Sequence, residues 1–301
     1  MIRRNRLLQL SGVLILALII YQMPTIRVDV SWTTSSSGSK VLIADQLDLS
    51  SRNVVFRQDA GALLDRAGIR YDLLIGSNIT VDFFRMLPSM GYTLILFRIH
   101  SGLLYPIRPE NPVYLFTGEE YSSNKYQGEQ MNGEVIPAQV LESSPVYFAV
   151  GREFVDRSMN GTFPGTVIII SGCSGLSNTK LADSLLSKGA SAVISWDGLV
   201  TAKHTDRAFT YFMEDFVTNE VTIEQAVQDT MAGVGPDPSY NSYLKVYPET
   251  AGGIRLADLL SPSWPTTRTT TTTSELVEAL VVQGLPSRPD MWQSRSALGR
   301  Q

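Results

Sequence analysis

With 301 residues, of which 44% are hydrophobic and 18% charged, the chain holds enough apolar mass for one substantial core and too few charges for a disordered protein. Its net charge of −4 provides no basic footprint, which excludes nucleic acid as a partner. A single cysteine, Cys173, permits no intramolecular disulfide, so the fold must rest on its core and the thiol is left free.

The chain opens on Met1-Ile2-Arg3-Arg4-Asn5-Arg6 and stays almost wholly apolar from Leu7 to Met23. This is the pattern of a short membrane-spanning helix or of the hydrophobic part of an export signal. No small-x-small cleavage pattern follows Ile20-Tyr21-Gln22-Met23-Pro24, so residues 7–23 are expected to form an uncleaved signal anchor, with cleavage and secretion as the alternative. The arginines within residues 1–6 would keep that end in the cytoplasm and send the main domain across the membrane. Residues 24–39, which include Ser35-Ser36-Ser37-Gly38-Ser39, read as a flexible linker.

The apolar run at residues 40–44 predicts a first strand, closed by Asp45, and residues 54–67 have helical spacing with Gly68 as the stop signal. A second strand is expected at 71–75, a second helix at 80–90 containing Pro88, and a third strand at 92–97. Strand and helix alternating at this spacing imply right-handed crossovers: an α/β fold with a mostly parallel sheet and helices on both faces. The rhythm changes over residues 103–163. Short extended pieces at 112–117, 135–141 and 146–150, separated by Gly, Ser and Asn, suggest a β-rich insertion that shapes or covers a site. The alternation then resumes with a strand at 166–170, a helix at 179–188, a strand at 191–196, helices at 204–216 and 223–232, and a last strand at 243–247. One domain over residues 40–250 results. Residues 251–301, with the threonine run 269–273, read as a low-complexity tail to which no chemistry is assigned.

Two residues stand where this architecture displays reactive groups. Cys173 lies in Ser171-Gly172-Cys173-Ser174-Gly175 directly behind an apolar strand, where glycines let the backbone turn and a substrate approach closely. His100, one of two histidines, follows the third strand in the same way and precedes Ser101-Gly102. A thiol at neutral pH needs such a partner to act as a nucleophile. Among the competitors, His204 precedes a helical pattern and suits capping or solvation, and Ser174 lacks the full Gly-x-Ser-x-Gly elbow. The separations of the histidines and the cysteine lack metal-ligand spacing, and no glycine-rich phosphate loop follows the first strand, so neither a metal nor a cofactor is expected. Asn78-Ile79-Thr80 and Asn160-Gly161-Thr162 are glycosylation sequons, relevant only in a host that glycosylates exported proteins.

The segments His100-Ser101-Gly102, Gly172-Cys173-Ser174-Gly175 and Lys188-Gly189-Ala190-Ser191-Ala192-Val193-Ile194-Ser195-Trp196 together resemble the caspase-hemoglobinase fold of cysteine peptidases, the clan CD group of caspases, metacaspases, clostripain, gingipains, separase and CHAT domains. The resemblance covers roughly residues 40–248, and His precedes Cys as in that group. A departure is Ser101, which separates His100 from Gly102, whereas many relatives have His immediately before Gly. The resemblance implies that Cys173 attacks the scissile carbonyl, that His100 protonates the leaving amine, and that the backbone N–H groups of Cys173 and Gly102 hold the oxyanion. It places Trp196 and Asp197 beside the substrate pocket, with Asp45 and Asp48 at a second specificity position. Carboxylates there would favour Arg or Lys in the substrate. The expected partners are thus a peptide or protein substrate and the membrane, and a calcium requirement is left open. A caspase-fold binding or scaffold module without activity is the alternative.

Overall fold

The computed structural model describes residues 40–105, 108–261 and 264, so the expected anchor at 7–23, the linker at 24–39 and the threonine-rich stretch lie outside the described residues. Among the described residues no helix is long and apolar enough to cross a membrane.

In chain order, β1 (Val41–Asp45) passes through a 3₁₀ turn (Gln46–Leu49) into α1 (Val54–Arg66), which Asn53 caps by accepting the Phe56 N–H at 3.1 Å. β2 (Tyr71–Ile75), α2 (Val81–Met86) and β3 (Leu94–Arg98) follow. The helix expected to reach residue 90 ends at Met86. A 3₁₀ turn (Leu87–Met90) holding Pro88 replaces its last part, because proline has no N–H for a further α-helical bond and Gly91, at φ 74°, leads the chain out.

The insertion comprises β4 (Ser101–Leu103), β5 (Val113–Glu120), α3 (Gln127–Met131), β6 (Val135–Ala138), β7 (Tyr147–Val150) and α4 (Arg152–Arg157). Its strands form a separate antiparallel sheet in the order β4-β5-β7-β6. The main domain resumes with β8 (Val167–Ser171), α5 (Lys180–Ser187), β9 (Ala192–Trp196), α6 (Ala202–Thr218), α7 (Ile223–Gly233) and β10 (Leu244–Tyr247).

The central sheet has the order β10-β9-β8-β3-β1-β2, parallel throughout except for β10. The chain winds one way from β1 to β2 and the other way from β3 onward, which puts a topological switch between β1 and β3. Such a switch opens a crevice at the carboxyl ends of the strands. β1, β3, β8 and β9 are buried at every position, as the continuous apolar runs require once helices cover both faces. On one face Ile43, Leu96, Ile169 and Ile194 pack against α1, α6 and α7; on the other Leu42, Ile95, Ile168 and Val193 pack against α2, α5 and the second sheet. α6 contributes Phe209, Phe212, Met213 and Phe216 along one stripe, each fully buried and worth about 1.5–3 kcal/mol of transfer free energy.

The domain runs past residue 250. α8 (Leu256–Leu260) buries Leu256 and Leu259 in the α6 core, and the Trp264 indole donates to the Gly165 carbonyl at 3.0 Å.

Candidate functional site

β3 and β8 are neighbours, and their register pairs Arg98 with Ser171. His100 and Cys173 each stand two residues beyond that pair, at the carboxyl edge of the sheet beside the β1/β3 switch. Each side chain contacts a loop that feeds a helix on the same face. Cys173 meets Val200, just before α6, and His100 meets Ser50, just before α1.

The two strand ends approach closely. A Cβ at Gly172 would collide with the Ile99 carbonyl oxygen and with Ser101 Oγ, so only glycine fits there. Ser101 Oγ donates to the Cys173 carbonyl at 2.7 Å, tying the residue after the histidine to the cysteine itself. Ser174 turns the chain at φ 60°, and its N–H donates to the Gly198 carbonyl at 2.7 Å. Its buried side chain makes it no rival nucleophile in this conformation.

The thiol and the imidazole do not bond to each other. Cys173 Sγ donates to the Val200 carbonyl and accepts the Val200 N–H, both at 3.4 Å. Burial raises its pKa above the ordinary 9.0; the Val200 backbone bond opposes the rise, and the Asp237 charge adds to it. Cys173 is therefore a protonated thiol at neutral pH. Burial, helped by the Arg98 charge, pushes the His100 pKa down to about 4, so the imidazole is neutral. Its Nε2 lies 2.7 Å from Ser50 Oγ, its backbone N–H donates to Gln46 Oε1 at 2.9 Å, and its ring faces Phe116 at 5.8 Å between centroids.

Beneath the dyad runs a buried ion network. Arg98 is fully buried and donates to both Asp206 oxygens at 2.6 and 2.9 Å, to Asp45 at 2.8 Å and to the Ser51 carbonyl at 2.6 Å. Arg57 bridges Asp45 and Asp48, and Arg52 also pairs with Asp48. Those arginine bonds hold the Asp48 carboxyl below the usual carboxylate range.

The residues expected to shape a pocket are occupied otherwise. Asp45 is fully buried and shared by two arginines, and Asp48 is likewise paired. Asp197 accepts the Tyr243 N–H at 2.7 Å and pairs with Lys245 at 2.8 Å. Trp196 is a fully buried core residue whose indole donates to Thr205 Oγ1 at 2.9 Å, with the His204 ring 5.4 Å away. His204 itself sits in the first turn of α6 with Nε2 3.1 Å from the Gly235 carbonyl.

Gly102 pairs with Tyr114 in the β4–β5 ladder. The Phe116 N–H bonds to His100 and the Leu104 N–H to Pro112, so the alternation of an antiparallel ladder spends the Gly102 N–H on β5 and turns the Ser101 N–H toward the other edge. That edge faces Gly172 and Cys173. The Gly102 N–H, expected to face a substrate, is thus committed to β5, and the Ser101 N–H is the one turned toward Gly172.

Sequence reasoning missed Ser50, Gln46 and the Arg98–Asp206 pair. Only Arg98 gave a signal, as a charge closing an otherwise apolar strand. Among the described residues no group of three or more His, Cys, Asp or Glu side chains converges on a metal site. No protein-family model matches the chain, and no curated protein matches it in sequence.

Proposed function

We propose that the chain is a cysteine endopeptidase of the caspase-hemoglobinase kind, anchored through residues 7–23 with its main domain outside the cytoplasm, and that this conformation is its latent form. The observation that carries the reading is the placement of His100 and Cys173 at the carboxyl ends of adjacent parallel strands, beside the topological switch.

In the proposed reaction Cys173 Sγ attacks the carbonyl carbon of a peptide bond while His100 takes the thiol proton. The carbonyl electrons move to oxygen, which the backbone N–H groups of Cys173 and Ser101 receive. Collapse expels the amine, protonated by His100, and leaves a thioester. Water, losing a proton to His100, then attacks the thioester; release of the acid returns the proton to Cys173. The latent state follows from energetics. A thiol that holds its proton more tightly than free cysteine, paired with an imidazole titrating at about 4, makes proton transfer from one to the other uphill. Substrate must displace Val200 from the thiol before the dyad can work.

That same barrier favours the second reading, a caspase-fold binding module that does not turn over peptides. Turnover separates them. The full-length protein is incubated with a mixed peptide library, and cleavage products are read by mass spectrometry for wild type, Cys173→Ala, His100→Ala and His204→Ala. The peptidase reading requires cleavage that Cys173→Ala abolishes, that His100→Ala lowers by about 10²–10⁴-fold and that His204→Ala leaves nearly intact. Folded wild type that cleaves nothing, before or after limited proteolysis of its loops and with or without calcium, establishes the binding module instead.

A further inference from the structure

Ser50 ends the turn between β1 and α1, and the backbone around it is fixed from several sides. The N–H groups of Ser50 and Ser51 both donate to the Leu47 carbonyl, at 3.1 and 2.7 Å. Arg98 holds the Ser51 carbonyl at 2.6 Å. Gln46, one turn earlier, receives the His100 N–H and donates its own amide to the Thr117 carbonyl at 3.3 Å. The histidine backbone and the Ser50 backbone are thus tied to one frame, and the Ser50 hydroxyl reaches His100 Nε2 at 2.7 Å from a fixed base.

A neutral imidazole carries its proton on one nitrogen and a lone pair on the other, and the hydrogen bond made by one nitrogen settles which is which. A proton carrier for Cys173 needs its lone pair on the nitrogen that is not occupied elsewhere. With Nε2 occupied, that nitrogen is Nδ1.

We propose that Ser50 is the positioning residue of the dyad: its Oγ accepts the Nε2–H of His100, fixes that tautomer, and leaves the Nδ1 lone pair as the site that exchanges a proton with Cys173. The proposal rests on the peptidase reading and adds a residue to it. The Ser50 hydroxyl bonds to the imidazole and not to the thiol, and it acts through the ring it orients.

Two histidines make the test direct. Full-length protein labelled with ¹⁵N in its histidine rings gives two ring systems, and His204→Gln identifies which belongs to His100. Wild type is expected to show Nε2 protonated and Nδ1 bare. In Ser50→Ala the two nitrogen shifts should move toward each other as the tautomers mix, and peptide turnover should fall about tenfold, the worth of one neutral hydrogen bond. Ser50→Thr keeps the hydroxyl and should restore both. The double variant Ser50→Ala/His100→Ala should be no slower than His100→Ala alone, since a residue acting through the ring has nothing left to act on. A wild-type ring protonated on Nδ1, an unchanged tautomer in folded Ser50→Ala, or losses that add in the double variant would each overturn the proposal. Tautomer mixing in Ser50→Ala together with a wild type that cleaves no peptide would support the orienting contact and reject the peptidase reading beneath it.

Discussion

Replacing Asp206 by alanine tests whether the floor of the site is held by the buried ion network. Burial works against the Arg98 charge, but its bonds to Asp206 and Asp45 outweigh that penalty and its pKa is raised; a guanidinium keeps its charge even when one such partner is removed. Asp206→Ala removes the two bonds Arg98 makes to its oxygens, at 2.6 and 2.9 Å, and the bond from Asn53 Nδ2 at 2.8 Å. Asp45 remains as a counter-charge, yet Arg98 Nε loses its acceptor in a place without solvent. Charge-assisted bonds contribute about 1.5–3 kcal/mol each, and breaking a buried pair from one side costs about 3–5 kcal/mol. For a domain of this size, about 2–4 °C per kcal/mol, the expected fall in Tm is about 6–20 °C. Asp206→Asn keeps one acceptor and should lose about half as much. Lys203→Ala, an exposed change one turn away on the same helix, should stay within about 0.5 kcal/mol. The measurement is thermal and urea unfolding at pH 7.5. A loss below about 1 kcal/mol for Asp206→Ala, or an equal loss for Lys203→Ala, refutes the network as a structural element.

The depressed His100 pKa carries a linkage prediction. Between its ordinary value of 6.5 and about 4 the unfolded chain binds a proton that the folded chain refuses, so stability falls as pH drops through that window, by up to about 3 kcal/mol. His100→Gln removes this contribution, and its urea midpoint should depend less on pH between 6.5 and 4 than that of wild type; parallel pH dependences reject the neutral imidazole. Asp237 anchors the loop that holds the thiol, accepting the N–H and Oγ1 of Thr201, both at 2.9 Å, so Asp237→Ala should free Val200 and speed iodoacetamide alkylation of Cys173 about tenfold. A folded variant with an unchanged or slower rate shows that Val200 does not shield the thiol.

The central sheet was legible because its strands are buried on both faces. Runs such as Leu94-Ile95-Leu96-Phe97 and Val167-Ile168-Ile169-Ile170 have no polar side to show, and glycines or carboxylates punctuate them. The helices α1, α5, α6 and α7 carry enough turns for a repeating apolar stripe to register. What escaped has no such length. β4 is three residues long, and α3 and α8 are five each, too short for a period to show in either case. α8 was further hidden by the threonine-rich stretch that follows it, although Leu256 and Leu259, three residues apart, are the pair that enter the core.

At the site, the strand-end positions of His100 and Cys173 are a local property and could be read from the residues around them. Their partners are not local. Asp206 reaches Arg98 across 108 residues and Ser50 reaches His100 across 50, and no pattern in the chain marks either contact. Carboxylates after a strand announce a charge but not what neutralises it. Asp45, Asp48 and Asp197 each already face an arginine or a lysine, at 2.8, 2.9 and 2.8 Å respectively. A basic substrate side chain would therefore have to displace a cation of the protein before it could pair with any of them, and for Asp45 it would also have to enter a space with no exposure to solvent. The loops next to Val200, which holds the thiol, differ in kind: Leu199, Tyr240 and Tyr243 are exposed on loops joined to one another through the Ser242–Leu199 and Asp197–Tyr243 hydrogen bonds. On the proposed peptidase reading, selection of a peptide at this edge would fall to apolar contact and backbone hydrogen bonding rather than to a buried carboxylate.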